Sequence, residues 1–468
     1  MKTSSFRAVT RWWCPETDSR RARLIAVLAL LVPTALYAQV GGAPPGPAAA
    51  PYGNGVQPIP TYAGAAGPSN VLLLSVNSVT SYDSNVFGIS QLRLGDELLG
   101  LGPRLALFEQ RDRLGVEIDY QPYFQFYQHL TQYDRVDQAL AASVTYALGT
   151  HWSVRARDAF TDQTGAYQTE SSQALVPGLG SPTALNNDIY MPLAAERAND
   201  SRLDLIYRRS SRTSLSLFGG YDQRSITNQP AGVGSLLDTT GVTGGMQYTY
   251  RLSNHATFGT VYTFETLKYE GGVPAGYAPR IDIHSAVFSL AWQATPSVSL
   301  QVFGGPDYLP AQRLVIDGLA GPTPPNGRSS ARWSWTAGGA VSKSTEKTSF
   351  SLSGGHTVMD GGGLLTTVTS TYSSIDLNRR LIRRWSAGCN MMGSESNTLN
   401  YGSMSGKLKS LNGTVNLGHP LNEQFDARLS YTLTRQYGTG LVPYGAGLNH
   451  SVVSLNLSYQ LKKIPLGH

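Results

Sequence analysis

Two short stretches place a hydroxyl beside an imidazole: Asn449-His450-Ser451 and Ile283-His284-Ser285. A Ser–His pair is the usual start of a nucleophilic site, because the imidazole takes up the hydroxyl proton. Both stretches lie in strand-like sequence, where neighbouring side chains point to opposite faces. His450 and Ser451 therefore cannot act together within one strand. His129, His151, His255 and His419 fall near expected strand ends or turns, and no pair has the spacing of metal ligands. Cys389 is the lone cysteine beyond the N-terminal segment, so neither an intrachain disulfide nor a thiolate zinc site is expected. No catalytic, cofactor-binding or metal-binding residues are expected, and no cofactor.

The charged residues that remain sit on strands with two contrasting faces. In "EQFDARLSYTLTRQ" (423–436), Phe425, Ala427, Leu429, Tyr431 and Leu433 form one face, and Asp426, Arg428, Ser430, Thr432 and Thr434 the other. The final stretch repeats this, with Val453, Leu455, Leu457 and Tyr459 set against Ser454, Asn456, Ser458 and Gln460. The polar faces are mostly Ser, Thr, Asn, Gln and Gly. That suits the wall of a wet lumen better than the Lys- and Glu-rich outside of a soluble sandwich. The apolar phase assigns Arg104, Arg155, Arg157, Arg202, Arg208, Arg224, Arg332, Arg384, Lys409 and Arg428 to the inner face. It assigns Glu117, Asp119, Asp204, Asp222, Glu265 and Asp426 to the same face. Two readings stand side by side: a pore with a weak preference for anions, or Arg and Asp pairs that merely stiffen the wall. In "IDIHSAVFSLAW", Ile281 and Ile283 break phase with Phe288, Leu290 and Trp292, and a bulge is one explanation.

The connections show how such strands must be arranged. Eight are short and polar: 109–113, 148–152, 208–212, 252–256, 294–298, 343–347, 379–385 and 419–424. They alternate with longer stretches rich in Gly, Pro, Asn and Ser, near 83–96, 128–135, 163–199, 227–236, 270–280, 305–328, 359–364, 396–405 and 438–446. Eight hairpins, with one strand before and one after, make eighteen strands in a closed antiparallel transmembrane barrel; sixteen is the next choice. Short turns on one side and long loops on the other are the pattern of outer-membrane barrels, whose short turns face the periplasm. Tyr and Trp near strand ends, Tyr127, Trp152, Tyr207 and Trp333 among them, fit interfacial girdles.

The N-terminus and composition agree. Arg20, Arg21 and Arg23 precede the apolar run "LIAVLALLV", followed by "PTALYAQ", so residues 1–38 read as an export signal. Residues 39–69 form a Pro/Gly/Ala-rich leader expected to be disordered, and 70–468 the barrel. The chain has 468 residues, 50 Gly, 25 Tyr and 15% charged residues. Its mean hydropathy is −0.18, and no later apolar run approaches the roughly 20 residues of a spanning helix. The net charge of +6 is spread along the chain and does not point to nucleic acid.

"VTSYDSNVFG" (79–88), at the end of the first strand, resembles the opening of the beta-barrel porin-2-like family of bacterial outer-membrane barrels. Some members are linked to exopolysaccharide export. The resemblance implies an outer-membrane barrel and, as an alternative to passive diffusion of small polar solutes, a part in polysaccharide export. An outer-membrane enzyme and a soluble surface β-protein are the remaining readings. The expected partners are outer-membrane lipid and either small polar solutes or polysaccharide; the chain is a monomer or a homotrimer. The 163–199 connection is the third outer loop and the longest. Its Glu170, Asp188 and Glu196 either fold into the lumen towards Arg155, Arg157, Arg202 or Arg332, or lie across the outer rim.

Overall fold

A computed structural model describes residues 70–88, 93–164, 194–227, 237–271, 278–312, 329–362, 366–382, 384–399, 406–439 and 448–466. The signal, the leader, Glu170 and Asp188 lie outside these residues. Within them the chain forms β1 (Val71–Asp83), β2 (Asp96–Gln110), β3 (Leu114–Tyr127), β4 (Arg135–Ala147), β5 (Trp152–Thr164) and β6 (Ala195–Arg208). It continues as β7 (Thr213–Thr227), β8 (Asp238–Arg251), β9 (Ala256–Glu270), β10 (Arg280–Thr295), β11 (Val298–Leu309) and β12 (Arg332–Ser344). Then follow β13 (Thr348–Met359), β14 (Val368–Arg380), β15 (Ser386–Thr398), β16 (Lys407–Pro420), β17 (Phe425–Thr439), β18 (Leu448–Gln460) and the two-residue β19 (Ile464–Pro465). Each of the eighteen long strands pairs antiparallel with the next, and β1 pairs with β18, so the sheet closes. All eight short connections are hairpin turns. Asn422 shows how one is made: its side-chain oxygen accepts the backbone N–H groups of Gln424 and Phe425, each at 2.8 Å. The C-terminal overrun is not loose, because Ile464 and Pro465 pair with Leu72 and Val71 beside the closing seam.

Contacts between distant strands identify the inner face. Arg224 on β7 reaches Asp360 just beyond β13, and Tyr269 on β9 reaches Thr367 before β14. Such partners meet only through the interior. On the opposite parity, Leu203, Leu217, Val242, Val415, Leu429 and Leu455 are exposed and form the outer belt. Aromatic pairs mark its lower edge: Trp152 on Tyr207 (4.7 Å between ring centres), Trp385 on His419 (4.6 Å) and Phe425 on Tyr459 (4.5 Å). Tyr308 on Trp333 (4.9 Å) and Trp335 on His356 (4.2 Å) mark the upper edge. A closed barrel satisfies every backbone group along its wall, and the apolar belt meets hydrocarbon. This is the architecture of an outer-membrane protein.

Several expectations are corrected. β5 runs to Thr164 and β6 begins at Ala195, so Glu196 lies on a wall strand and not in the loop. Lys409 faces out, because its neighbour Leu408 is the buried one and exposed Leu411 and Val415 share its parity. Tyr127 faces in and is buried against Val86, Leu98 and Leu130. There is no bulge at Ile281 and Ile283, since β9 and β10 stay in register from Arg280 to Trp292. Both isoleucines point into the barrel. They pack with Leu237, Leu267, Tyr269, Ala278, Leu309 and Val358 in an apolar cluster on the inner face.

Candidate lumen constriction

The inner wall divides the predicted residues into groups. Low on β2 and β3, Arg104 grips Asp119, with Nε 3.0 Å from Oδ1. On β5 and β6, Asp204 is shared: Arg157 binds one carboxylate oxygen and Arg202 the other, each at 3.0 Å. Arg202 also lies over the Phe218 ring, 4.0 Å from its centre. Gly245 makes room beside it, because a Cβ there would run into the Tyr262 backbone carbonyl and sit 2.5 Å from the Phe218 ring. Arg155 and Glu117 line the same sector, two strands apart, near enough to interact electrostatically. Asp426 and Arg428 lie elsewhere, half-exposed near the end with the short turns and 3.9 Å apart. Arg332 lies at the outer end of β12.

The tightest feature joins a predicted residue to one that was missed. Arg224 is 1% exposed, donating to Glu196 (3.1 Å) and to Asp360 (2.6 Å). Asp360 also accepts from Thr239 (3.4 Å) and from the backbone of Gly362 (3.2 Å). Gly362 has φ of 67°, a left-handed turn that glycine adopts without strain. The tip of the β13–β14 hairpin, as far as Gly362, thus turns inward. The β12–β13 ladder stops at Ala337 opposite His356, whereas β13–β14 pairing runs on to Met359 opposite Val368. Freed from β12, the tip carries Val358 onto the inner apolar cluster and Asp360 onto Arg224. An outer-loop carboxylate facing a wall arginine was expected of the 163–199 loop; among the described residues it belongs to the 360–367 connection. The only local signal was an aspartate ahead of a glycine run, "MDGGG".

The charge of the wall also differs from the first count. Asp137, Asp200, Asp307, Asp360 and Asp376 face inward as well, so carboxylates outnumber guanidiniums along the described inner wall. Arginines other than Arg224 concentrate on β2–β6. Asp222, Glu265 and Asp307 occupy β7–β11 and form no salt bridge among the described residues; Asp222 lies two positions from Arg224 on the same face, and Asp307 accepts from Ser285 and Thr336. His450 sits 2.9 Å from Asp83 across the closing seam, both fully buried, while Ser451 faces out to Ser84. The seam pair therefore ties the first strand to the last.

No protein-family model matches the chain, and no curated protein does. Among solved structures, it is similar to Pseudomonas aeruginosa OpdK with vanillate, at 12% identity and a TM-score of 0.42, covering 83% of this chain and 98% of that one. Similarity to Pseudomonas aeruginosa OccK2 (OpdF) stands at 9% identity and 0.44, covering 85% and 100%. The siderophore receptor PirA from the same organism gives 10% and 0.39, covering 84% and 81%.

Proposed function

We propose that this chain is a porin-like channel for passive diffusion of small polar solutes across the outer membrane, narrowed on one side by the inward β13–β14 tip. The observation that carries this reading is the Glu196–Arg224–Asp360 triad, which holds an outer connection inside a closed barrel. Around the opening, a sector of paired guanidiniums and carboxylates on β2–β6 adjoins a carboxylate sector on β7–β11. Opposed charges at close quarters orient dipolar solutes, and the surplus of carboxylates favours cations over anions. Single-channel recording of purified protein in planar bilayers tests this, with reversal potential read in a salt gradient. An open, ohmic channel with a modest cation preference is expected; a correctly folded barrel that passes no current rejects it. Residues 1–38 act as the export signal in this reading, so the mass of protein from outer membranes should lack them.

A second reading rests on the sector from β14 to β18, lined by hydroxyls and amides with few charges. Such a surface suits sugars, and a role in exopolysaccharide export would use it. Block of the current by uncharged oligosaccharides, absent with glycerol, would favour that alternative.

A further inference from the structure

The outer wall carries its own charged site. Lys407 and Lys409 face out from β16, and Glu395 of β15 takes both: Oε1 lies 2.5 Å from Lys407 Nζ and Oε2 3.3 Å from Lys409 Nζ. Arg435 of β17 is exposed on the same face, opposite Leu411 and diagonal to Lys409. It makes no ion pair among the described residues. Three cations thus stand on one face with a single carboxylate, which pairs with two of them.

Their height follows from the strands. Glu395 is ten residues from Trp385, Lys409 ten from His419 and Arg435 ten from Phe425, all aromatic markers of the lower edge. With a rise of about 3.4 Å per residue and a tilt near 40°, ten residues climb about 26 Å, the height of an apolar belt of roughly 25 Å. Between the two levels the wall shows exposed Met391, Leu411, Val415, Leu429 and Tyr431. The cations therefore sit where acyl chains end and headgroups begin.

Below them the belt is hollowed. Gly393 faces out between Ser373 and Leu411, and Gly413 between Met391 and Leu433. A Cβ at Gly393 would lie 3.8 Å from its nearest neighbour and one at Gly413 3.7 Å, both ordinary contacts, and neither residue has positive φ. Nothing in the wall requires glycine there. What the two glycines provide is a shallow trough running down from the cationic cluster.

We propose that this face of β15–β17 binds a phosphate-bearing lipid of the outer leaflet. Lys407, Lys409 and Arg435 hold the phosphate, and the Gly393–Gly413 trough takes an acyl chain. The site rests on the transmembrane reading of the barrel but not on its conducting solute. It differs from the β5–β6 outer wall, where Arg197 and Asp162 neutralise each other at 2.8 Å.

Native mass spectrometry of the full barrel in detergent tests it, with diphosphoryl lipid A, dephosphorylated lipid A and inorganic phosphate as probes. Diphosphoryl lipid A should bind and the dephosphorylated form should not; excess inorganic phosphate should leave the complex intact. Lys407→Ala, Lys409→Ala and Arg435→Ala together should lower affinity about a hundredfold, taking about 1 kcal/mol per cation near a membrane surface. Glu395→Ala frees the lysines and should tighten binding. Gly413→Leu should weaken binding of the acylated lipid. Equal binding of both lipid A forms, complete displacement by inorganic phosphate, or an unchanged affinity in the folded triple variant would each overturn the proposal. Current through the triple variant should match the unmodified channel. A barrel that binds lipid but carries no current would refute the porin reading alone.

Discussion

The inner wall has two halves that solve the same problem differently. From β14 to β18 the inward side chains are mainly hydroxyls and amides, and they satisfy one another across the ladder. Ser394 meets Ser410 at 2.7 Å, Thr414 meets Thr432 at 3.0 Å and Ser430 meets Ser454 at 2.6 Å. From β2 to β7 many of the inward partners are ions, and one of them, Arg224, is fully enclosed. A hydroxyl pair contributes little net stability, since water would serve either partner almost as well. An enclosed guanidinium depends on its carboxylates, because water no longer reaches it. The neutral half is therefore expected to tolerate substitution, and the charged half to shape the passage.

The largest effect is expected at Arg224. Arg224→Met leaves Glu196 and Asp360 buried without a cation, at about 3–5 kcal/mol by analogy with other broken buried pairs. The β13–β14 tip should swing away, conductance should rise, and the temperature at which the folded gel band is lost should fall. An unchanged conductance with a lowered temperature would leave the triad a purely structural role. Next comes selectivity. Asp222→Asn with Glu265→Gln should move the reversal potential towards anions, and Arg157→Gln with Arg202→Gln should move it the other way. Identical shifts from the two pairs would erase the distinction between the sectors. Phe218→Leu, which removes the ring beneath Arg202, should act more weakly, at about 0.5–1 kcal/mol of lost cation–π contact. Its readout is a smaller selectivity shift of the same sign as Arg202→Gln. The smallest effect is expected from Ser394→Ala in the neutral half: within about 1 kcal/mol in stability, with no change in current. A clear selectivity change there would show that the neutral half also meets the solute.

Local sequence carried the architecture. Each strand alternates at period two, and each turn interrupts that alternation with residues whose side chains bond their own backbone, as Asn422 does. Both signals lie within a few residues, so eighteen strands and the side of every short turn were legible. His450 and Ser451 were likewise separable, because opposite faces follow from adjacency alone. Alternation also distinguishes two faces, but a charge expected to seek water misled it at Lys409. At the top of the belt the outside is as polar as the lumen. Ile281 and Ile283 misled in the opposite sense, since an apolar cluster inside a barrel has no separate local signature.

Closure decided the rest. Arg224 and Asp360 are 136 positions apart, and nothing near either residue announces the other. They meet because the sheet curves through a full turn and because β13 leaves β12 beyond His356. Glu196 read as a loop acid until the ladder with Ile226 extended β6 to include it. The sequence by itself determined which residues alternate and where the chain turns, since those depend on backbone sterics and neighbouring side chains. Only the tertiary structure decided which side chains face one another across the interior, since that depends on how eighteen strands tilt and close.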